Sequence, residues 1–195
     1  MSTPYLLRPC LAITILFVIT ALALPHLAEA KVRSTPQERN AVKSLIRIEA
    51  LRIGVPVSLA LAVAHTESFF NPRAVSSAGA RGVMQIMPAT STGEYGIHPN
   101  LLWVPRINIR IGLHFLKRLL KRYRGRAELA LSYYNGGSAV GDLPNARIIP
   151  ATARYVKKVL RLQREYGSAR KQEGIETWTV FQRRNLLSRR VRAVN

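Results

Sequence analysis

The sequence predicts an all-α, mainly helical domain with little or no sheet, and three observations support this. Apolar residues recur at helical spacing in several segments that begin or end at Pro, Gly or Asn. No segment shows a convincing hairpin or the alternating pattern of a half-buried strand. The only cysteine is Cys10, so residues 31–195 must be stabilised by their own core, and their number suits one domain.

The first 30 residues have the composition of a secretory signal peptide. Arg8 precedes an apolar run from Leu11 to Leu24, which is shorter than the roughly 18–20 residues that a membrane-spanning helix needs. The small-residue triplet Ala28-Glu29-Ala30 follows, as a cleavage site would. We therefore expect export to the periplasm or cell envelope with loss of residues 1–30. An uncleaved membrane anchor is the alternative.

The helical pattern is strongest in two consecutive segments. The first runs from Glu38 to Gly54, whose glycine suits a C-cap position, and reads as a surface helix. The second, Val57 to Glu67, is apolar nearly all round and is therefore expected in the centre of the domain. A loop over 71–82 follows. Further helices are predicted at Pro88 to Tyr95, Ile107 to Tyr123, Glu128 to Tyr134 and Thr152 to Tyr166.

The charge balance points to an anionic partner. The chain has 30 Lys plus Arg against 10 Asp plus Glu, a formal net charge of +20. For an exported protein, acidic stem peptides of peptidoglycan, teichoic acids or anionic lipids are better partners than nucleic acid. Residues 167–195 form a basic tail that either contacts an anionic membrane or wall polymer or is simply solvated.

Several chemistries lack the residues they need. The four histidines do not pair at metal-binding spacing, and no H-E-x-x-H segment is present. No P-loop and no G-x-S-x-G segment supports phosphoryl transfer or serine hydrolysis. We therefore expect no metal and no cofactor.

Glu67 is the first candidate for catalysis. It lies at the C-terminal end of the apolar helix, where burial and the negative end of the helix dipole both disfavour its ionised form. The pKa of this carboxyl is therefore expected to be raised, so that it stays protonated near neutral pH. Protonation is the state that a general acid needs to cleave a glycosidic bond.

The residues that follow Glu67 resemble a family signature. From Glu67 to Thr90 the chain reads E-S-F-F-N-P-R-A-V-S-S-A-G-A-R-G-V-M-Q-I-M-P-A-T. This string closely resembles the signature of lytic transglycosylases with the goose-type lysozyme-like fold, including their Glu-Ser pair and their G-A-x-G-L-M-Q-I-M-P segment. Val83 replaces the leucine of that segment.

Three later blocks extend the resemblance over residues 45–166, the whole of the domain predicted at 31–166. One block is similar to N-I-x-x-G-x-x-x-L, one to A-Y-N-A-G and one to P-x-E-T-x-x-Y-V; they begin at Asn108, Tyr133 and Ile149. Two positions depart from the family pattern. Tyr133 replaces a small residue and Ala151 replaces an acid, which puts substrate contacts near Ala151 in doubt.

The resemblance implies a lysozyme-like domain with a catalytic cleft that binds peptidoglycan glycan strands. In that family a single glutamate, here Glu67, cleaves the β-1,4 bond between N-acetylmuramic acid and N-acetylglucosamine, and the 2-acetamido group assists in forming a 1,6-anhydromuramoyl end. Matching positions imply that Tyr155 donates to Glu67 and that substrate contacts come from Ser68, Met84, Gln85, Tyr134, Asn135 and Tyr155. Small exported relatives often accompany an envelope-spanning secretion or conjugation apparatus, which is a possible partner.

Three other functions stay open at this point. A hydrolytic lysozyme would use Glu67 with a second acid such as Glu94 on the opposite sugar face. A noncatalytic wall-binding module would keep the cleft without turnover, although an intact Glu67 argues against it. A basic membrane-active protein would explain the charge and leave the motif string unexplained.

Overall fold

The computed structural model describes residues 34–169 and residue 172. The predicted signal peptide and most of the predicted basic tail lie outside the described residues. Within that part no strand forms, and the only β pairing consists of isolated bridges from Val75 to Arg81 and from Arg81 to Ile86. The predicted all-α class is confirmed.

Six α-helices form the described part. Three 3₁₀ turns, Pro99–Trp103, Gly137–Val140 and Pro150–Thr152, connect the later helices. The helices are α1 (Pro36–Ile53), α2 (Val57–Ser68), α3 (Pro88–Tyr95), α4 (Pro105–Arg122), α5 (Ala127–Gly136) and α6, which covers 153–169.

Both ends of α1 are specified by sequence. The Thr35 hydroxyl accepts from the backbone N–H of Glu38, and the Glu38 carboxylate accepts from the backbone N–H of Thr35, which is a capping box. Gly54 ends the helix in a left-handed conformation, with φ of 80°. Helix α2 starts three residues later, so α1 and α2 form a helical hairpin.

Helix α2 is the central element, as predicted. Residues from Val57 to Ala64 are buried on nearly all sides except at Ser58, and Ala60, Ala62, Val63 and Ala64 have no exposed surface. Small alanine side chains allow neighbouring helices to approach closely. The side chains leave the core only in the last turn, from His65 to Ser68.

A buried carboxylate on α1 forms ion pairs with two arginines of α4. The Glu49 side chain is only 1% exposed and bonds Arg110 at 2.9 Å and Arg106 at 3.3 Å. The hydrogen bond from Arg110 is the main reason that the pKa of Glu49 is lowered. Arg106 is exposed and Arg110 is half-buried, so the carboxylate lies in the surface layer beneath their side chains and is not in the core.

Helix α6 is longer than predicted. Gly167 was expected to end it, but the helix continues to residue 169. A glycine inside a helix costs about 1 kcal/mol relative to alanine, and the neighbouring Tyr166, which packs against the core, offsets that cost. None of the helices in the described part has the length and apolar character to cross a bilayer.

Gly112 lets α4 pack directly against Met84. A Cβ atom at position 112 would lie 2.6 Å from the Met84 Cβ atom. We expect Gly112→Ala to lower the free energy of unfolding by about 1–3 kcal/mol through overpacking. Gly93, in α3, is a matched control, because nothing lies within 4 Å of a Cβ atom there. Gly93→Ala should be neutral or stabilising by up to about 1 kcal/mol in denaturant titrations; equal losses in the two variants would contradict this account of the α4 packing.

Candidate active site

Glu67 lies in the last turn of α2 with its carboxyl partly buried. The Tyr155 hydroxyl, from α6, donates to Glu67 Oε1 at 2.6 Å. Burial raises the pKa of Glu67 to about 7, and the hydrogen bond from Tyr155 and the charge of Lys158 act in the opposite direction. Near neutral pH the carboxyl is therefore present in both protonated and ionised forms.

The other carboxylates of the described part differ from Glu67, because each forms an ion pair with arginine. The pairs are Glu38 with Arg73, Glu49 with Arg106 and Arg110, Glu94 with Arg118, Glu128 with Arg126, Asp142 with Arg122, and Glu165 with Arg161. Glu67 forms no such pair within the described part, and burial favours its protonated form.

Two tyrosines stand beside Glu67 as neutral groups. Tyr134 donates from its hydroxyl to the Met84 carbonyl oxygen at 2.8 Å, and Tyr155 donates to Glu67. Burial raises the pKa of both phenols well above the usual value, and the nearby Glu67 charge raises them further. Both hydroxyls therefore act as hydrogen-bond donors. The structure brings Glu67, Tyr134 and Tyr155 together.

The Ser68 hydroxyl is engaged with the backbone. It donates to the Val83 carbonyl oxygen at 2.8 Å, lies 3.3 Å from the Ala64 carbonyl oxygen, and accepts from the Asn71 backbone N–H at 3.2 Å. These bonds join the end of α2 to the loop between α2 and α3. The predicted contact of Ser68 with a sugar stays a prediction.

Met84 and Gln85 also hold that loop. The Met84 side chain has no exposed surface. Gln85 has a left-handed backbone, with φ of 48°, and its side-chain amide donates to the carbonyl oxygens of Gly82 at 2.9 Å and Ala74 at 3.2 Å. Substrate binding by either residue stays a prediction. The structure places the Met84 side chain in the core.

Asn135 is exposed at the end of α5, next to Tyr134. The segment that follows packs closely, because a Cβ atom at Gly136 would lie 2.7 Å from Thr152 Cγ2. Thr152 in turn hydrogen-bonds Ser132 at 2.7 Å between their hydroxyl oxygens. This contact fixes the start of α6, and with it Tyr155, against α5.

Asn108 is a structural residue that sequence reasoning matched only as part of a motif. It is fully buried, accepts from the Met84 backbone N–H at 2.8 Å, and donates to the carbonyl oxygens of Arg81 at 2.8 Å and Leu102 at 3.1 Å. Gly82 lies against it so closely that a Cβ atom would be 2.5 Å from Asn108 Nδ2. The sequence did offer one sign of this structural role, because Asn108 is a polar residue on the otherwise apolar face of α4.

Comparison with known proteins identifies the family. The family model described as the transglycosylase SLT domain matches residues 44–142, about half of the chain. The chain belongs to the transglycosylase SLT domain family. The matched region contains Glu67, Tyr134 and Asn108, and ends before Tyr155. Within the described part, no group of three His, Cys, Asp or Glu side chains could hold a metal ion.

Relatives and solved structures agree with this SLT domain assignment. The chain is 34% identical over 90 residues to the soluble lytic murein transglycosylase of Escherichia coli K12, covering 43% of this chain and 14% of that protein. It is 37% identical over 109 residues to the membrane-bound lytic murein transglycosylase C of Edwardsiella ictaluri, covering 48% and 30%. An inactive glutamate-to-glutamine mutant of the lytic transglycosylase Slt of Pseudomonas aeruginosa superposes with a TM-score of 0.57 at 28% identity, covering 70% of this chain and 25% of that one. This chain therefore spans less than a third of each of these relatives.

The raised pKa of Glu67 predicts how stability depends on pH. Between the unfolded value of 4.5 and the folded value of about 7, the folded protein holds a proton that the unfolded chain has lost. Stability contributed by the neutral carboxyl is therefore complete below about pH 4.5 and is lost as pH rises through 7. Glu67→Gln, which stays neutral, should match the wild type at pH 4 and exceed it by about 2–3 kcal/mol at pH 8 in urea titrations. A pH-independent difference would contradict the pKa assignment.

Proposed function

We propose that this chain is a peptidoglycan lytic transglycosylase of the cell envelope. The observation that carries the proposal is the state of Glu67, a described carboxyl without an arginine partner, with a pKa of about 7 and a bond from Tyr155. Membership of the SLT domain family supports the same activity. Relatives described as lytic murein transglycosylases indicate murein as the substrate.

The reaction needs one group that gives a proton and later takes one. Protonated Glu67 would donate to the glycosidic oxygen of the β-1,4 bond between N-acetylmuramic acid and N-acetylglucosamine, and the C1–O bond would break. The 2-acetamido group of the muramoyl sugar would stabilise the positive centre at C1. Ionised Glu67 would then remove the proton of the C6 hydroxyl as O6 bonds to C1. The products are a free 4-hydroxyl and a 1,6-anhydromuramoyl end, with no water consumed.

Two opposing effects on Glu67 suit this double role. Burial favours the protonated form that starts the reaction, and the Tyr155 hydrogen bond favours the ionised form that completes it. A pKa near the working pH keeps both states within reach, which is the optimum for general acid–base catalysis.

The single-glutamate mechanism is favoured over a hydrolytic one by the state of the other acids. Direct hydrolysis with inversion needs a second carboxylate to activate water, and hydrolysis with retention needs one as a nucleophile. Glu94, the acid considered for that role, forms an ion pair with Arg118. Its carboxylate is therefore engaged with a guanidinium, and a sugar or a water would have to displace that partner to use it.

Other parts of the proposal rest on sequence. Export to the periplasm or cell envelope depends on the signal peptide predicted at residues 1–30. Sugar contacts by Ser68, Met84, Gln85, Asn135, Tyr134 and Tyr155, and an envelope-spanning secretion or conjugation apparatus as partner, are proposed from family resemblance.

Product analysis tests the activity directly. Purified protein digesting peptidoglycan sacculi should release anhydromuropeptides that mass spectrometry identifies, and Glu67→Gln should lower the rate by at least about a thousandfold. Glu94→Gln is the matched control and should retain activity within a few-fold. Reducing-end products would mean a hydrolytic lysozyme, and no products from the wild type would favour a wall-binding module.

Tyr155→Phe tests the balance at Glu67. Loss of this hydrogen bond removes an effect that lowers the pKa of Glu67, so that pKa should rise above about 7. The initial proton transfer requires protonated Glu67, and the rate of the wild type should therefore fall as pH rises through 7. In Tyr155→Phe this fall should move to higher pH in a profile of rate against pH. An unshifted profile with a uniformly lower rate would contradict this role.

A further inference from the structure

A pocket of about 250 Å³ lies between α1 and α6, on the face of α2 opposite Glu67. A surface of aromatic rings and cations extends from it towards the end of α2, and we call the pocket and this surface together the groove. Since residues three, four and seven apart share one face of a helix, Ser58, Leu61 and His65 form the floor, and Glu67 points roughly 200° away from His65. The cavity is lined by Arg47, Leu51, Ser58, Leu61, Tyr166 and Ala169.

Aromatic side chains continue the groove from the cavity towards the end of α2. Tyr166 and His65 are hydrogen-bonded, with 2.8 Å between the tyrosine oxygen and Nδ1. The His65 ring meets the Phe69 ring edge-on at 5.0 Å. Phe69 is 55% exposed, so its ring is accessible at the far end of the groove.

One wall of the groove carries a row of cations. Arg39, Lys43 and Arg47 are four residues apart on α1 and therefore share one face of that helix. The Arg39 guanidinium lies 5.2 Å from the centre of the Phe69 ring. Lys43 lies 5.1 Å from the Phe70 ring, and Arg47 lines the cavity.

No carboxylate of the described part pairs with these cations, although Arg39 also donates to the Ser34 carbonyl oxygen. Seven arginines of the described part are paired with carboxylates, whereas no such pair is formed by Arg39, Lys43 or Arg47 there. The positive field extends across the groove, because the charges of Lys158 and Lys43 both contribute to lowering the pKa of His65, after burial. Glu165 is the nearby acid, and Arg161 bonds it at 2.8 Å.

We propose that this groove is a second binding site, separate from the Glu67 site, for the carboxylate-bearing stem peptide of peptidoglycan. The identity of the ligand rests on the proposed function, whereas the site itself does not. From Ser58 to Phe69 the groove follows about 16 Å of helix. An extended peptide of about five residues has the same length.

The lining favours a peptide over other anions. A stem peptide combines free carboxylates, which the α1 cations would bind, with alanine methyl groups, which fit beside Leu51 and Leu61. A polyphosphate has no apolar groups to place there. A lipid surface would be met by a convex face and not by a groove between two helices. Binding here would hold the protein to the wall while the active site on the other face of α2 stays free.

Calorimetry with a defined peptide tests the site without turnover. The ligand is a synthetic tetrapeptide of alanine, γ-linked glutamate, diaminopimelate and alanine, and the protein is the full chain with Glu67→Gln. We expect Arg47→Glu to weaken binding at least tenfold, with affinity falling as salt increases. Ser58→Trp, which fills the cavity without changing charge, should weaken it similarly. Lys121→Glu, an exposed cation on α4, is the control and should change affinity less than twofold. Equal melting temperatures establish that the variants are folded.

The outcomes separate this site from the proposed enzyme activity. Equal effects of Arg47→Glu and Lys121→Glu, or no binding by the parent protein, would overturn the peptide site. It would also be overturned if Arg47→Glu weakened binding to phosphatidylglycerol vesicles and left peptide affinity unchanged. Peptide binding that depends on Arg47, in a protein that releases no anhydromuropeptides, would sustain the site and refute the transglycosylase function.

Discussion

The hydrogen bond between Tyr155 and Glu67 constrains how the rest of the domain is arranged. The two residues are 88 positions apart, and their 2.6 Å contact requires the start of α6 to lie against the end of α2. Buried Ser132 and Thr152 hold α6 against α5, and the all-round apolar surface of α2 lets helices pack on several sides of it. A carboxyl can remain partly buried with one phenol as its partner because the protonated form needs little compensation.

The loop between α2 and α3 is the second requirement of the site. Side chains bind its backbone at several points, because Asn108 satisfies the backbone groups of Arg81 and Met84, and Ser68 and Gln85 satisfy others. These are buried or half-buried polar contacts, which stabilise one conformation because the alternative is an unpaired group away from water. The signature that identifies the family is thus, in large part, a set of residues that shape the loop.

Sequence alone predicted the helices well and their contacts poorly. The pattern of Val57 to Glu67 predicted a central helix, and burial was rightly taken as a reason for a raised pKa at Glu67. The partners of Ser68, Gln85 and Asn108 depend on segments 11 to 27 residues away, which periodicity does not report. The length of α6 was underestimated because Gly167 was given its intrinsic preference, and tertiary packing outweighed it. The four-residue spacing of the cations on α1 could be read from the sequence, whereas the contribution of α6 to the other side of the groove could not.

The left-handed residues at the two ends of this loop have a consequence for how the protein loses its shape. Phe69, Phe70 and Gln85 adopt φ values of 53°, 63° and 48°, which cost a non-glycine residue roughly 1–2 kcal/mol each. Tertiary contacts hold these conformations, and the chain has no local preference for them. The loop is anchored in the same core that packs α2 against α4, because Phe70, Val83, Met84 and Ile86 are buried in it. The strained conformations therefore last only as long as that core does, and the surroundings of Glu67 and the packing of α2 against α4 should be lost together.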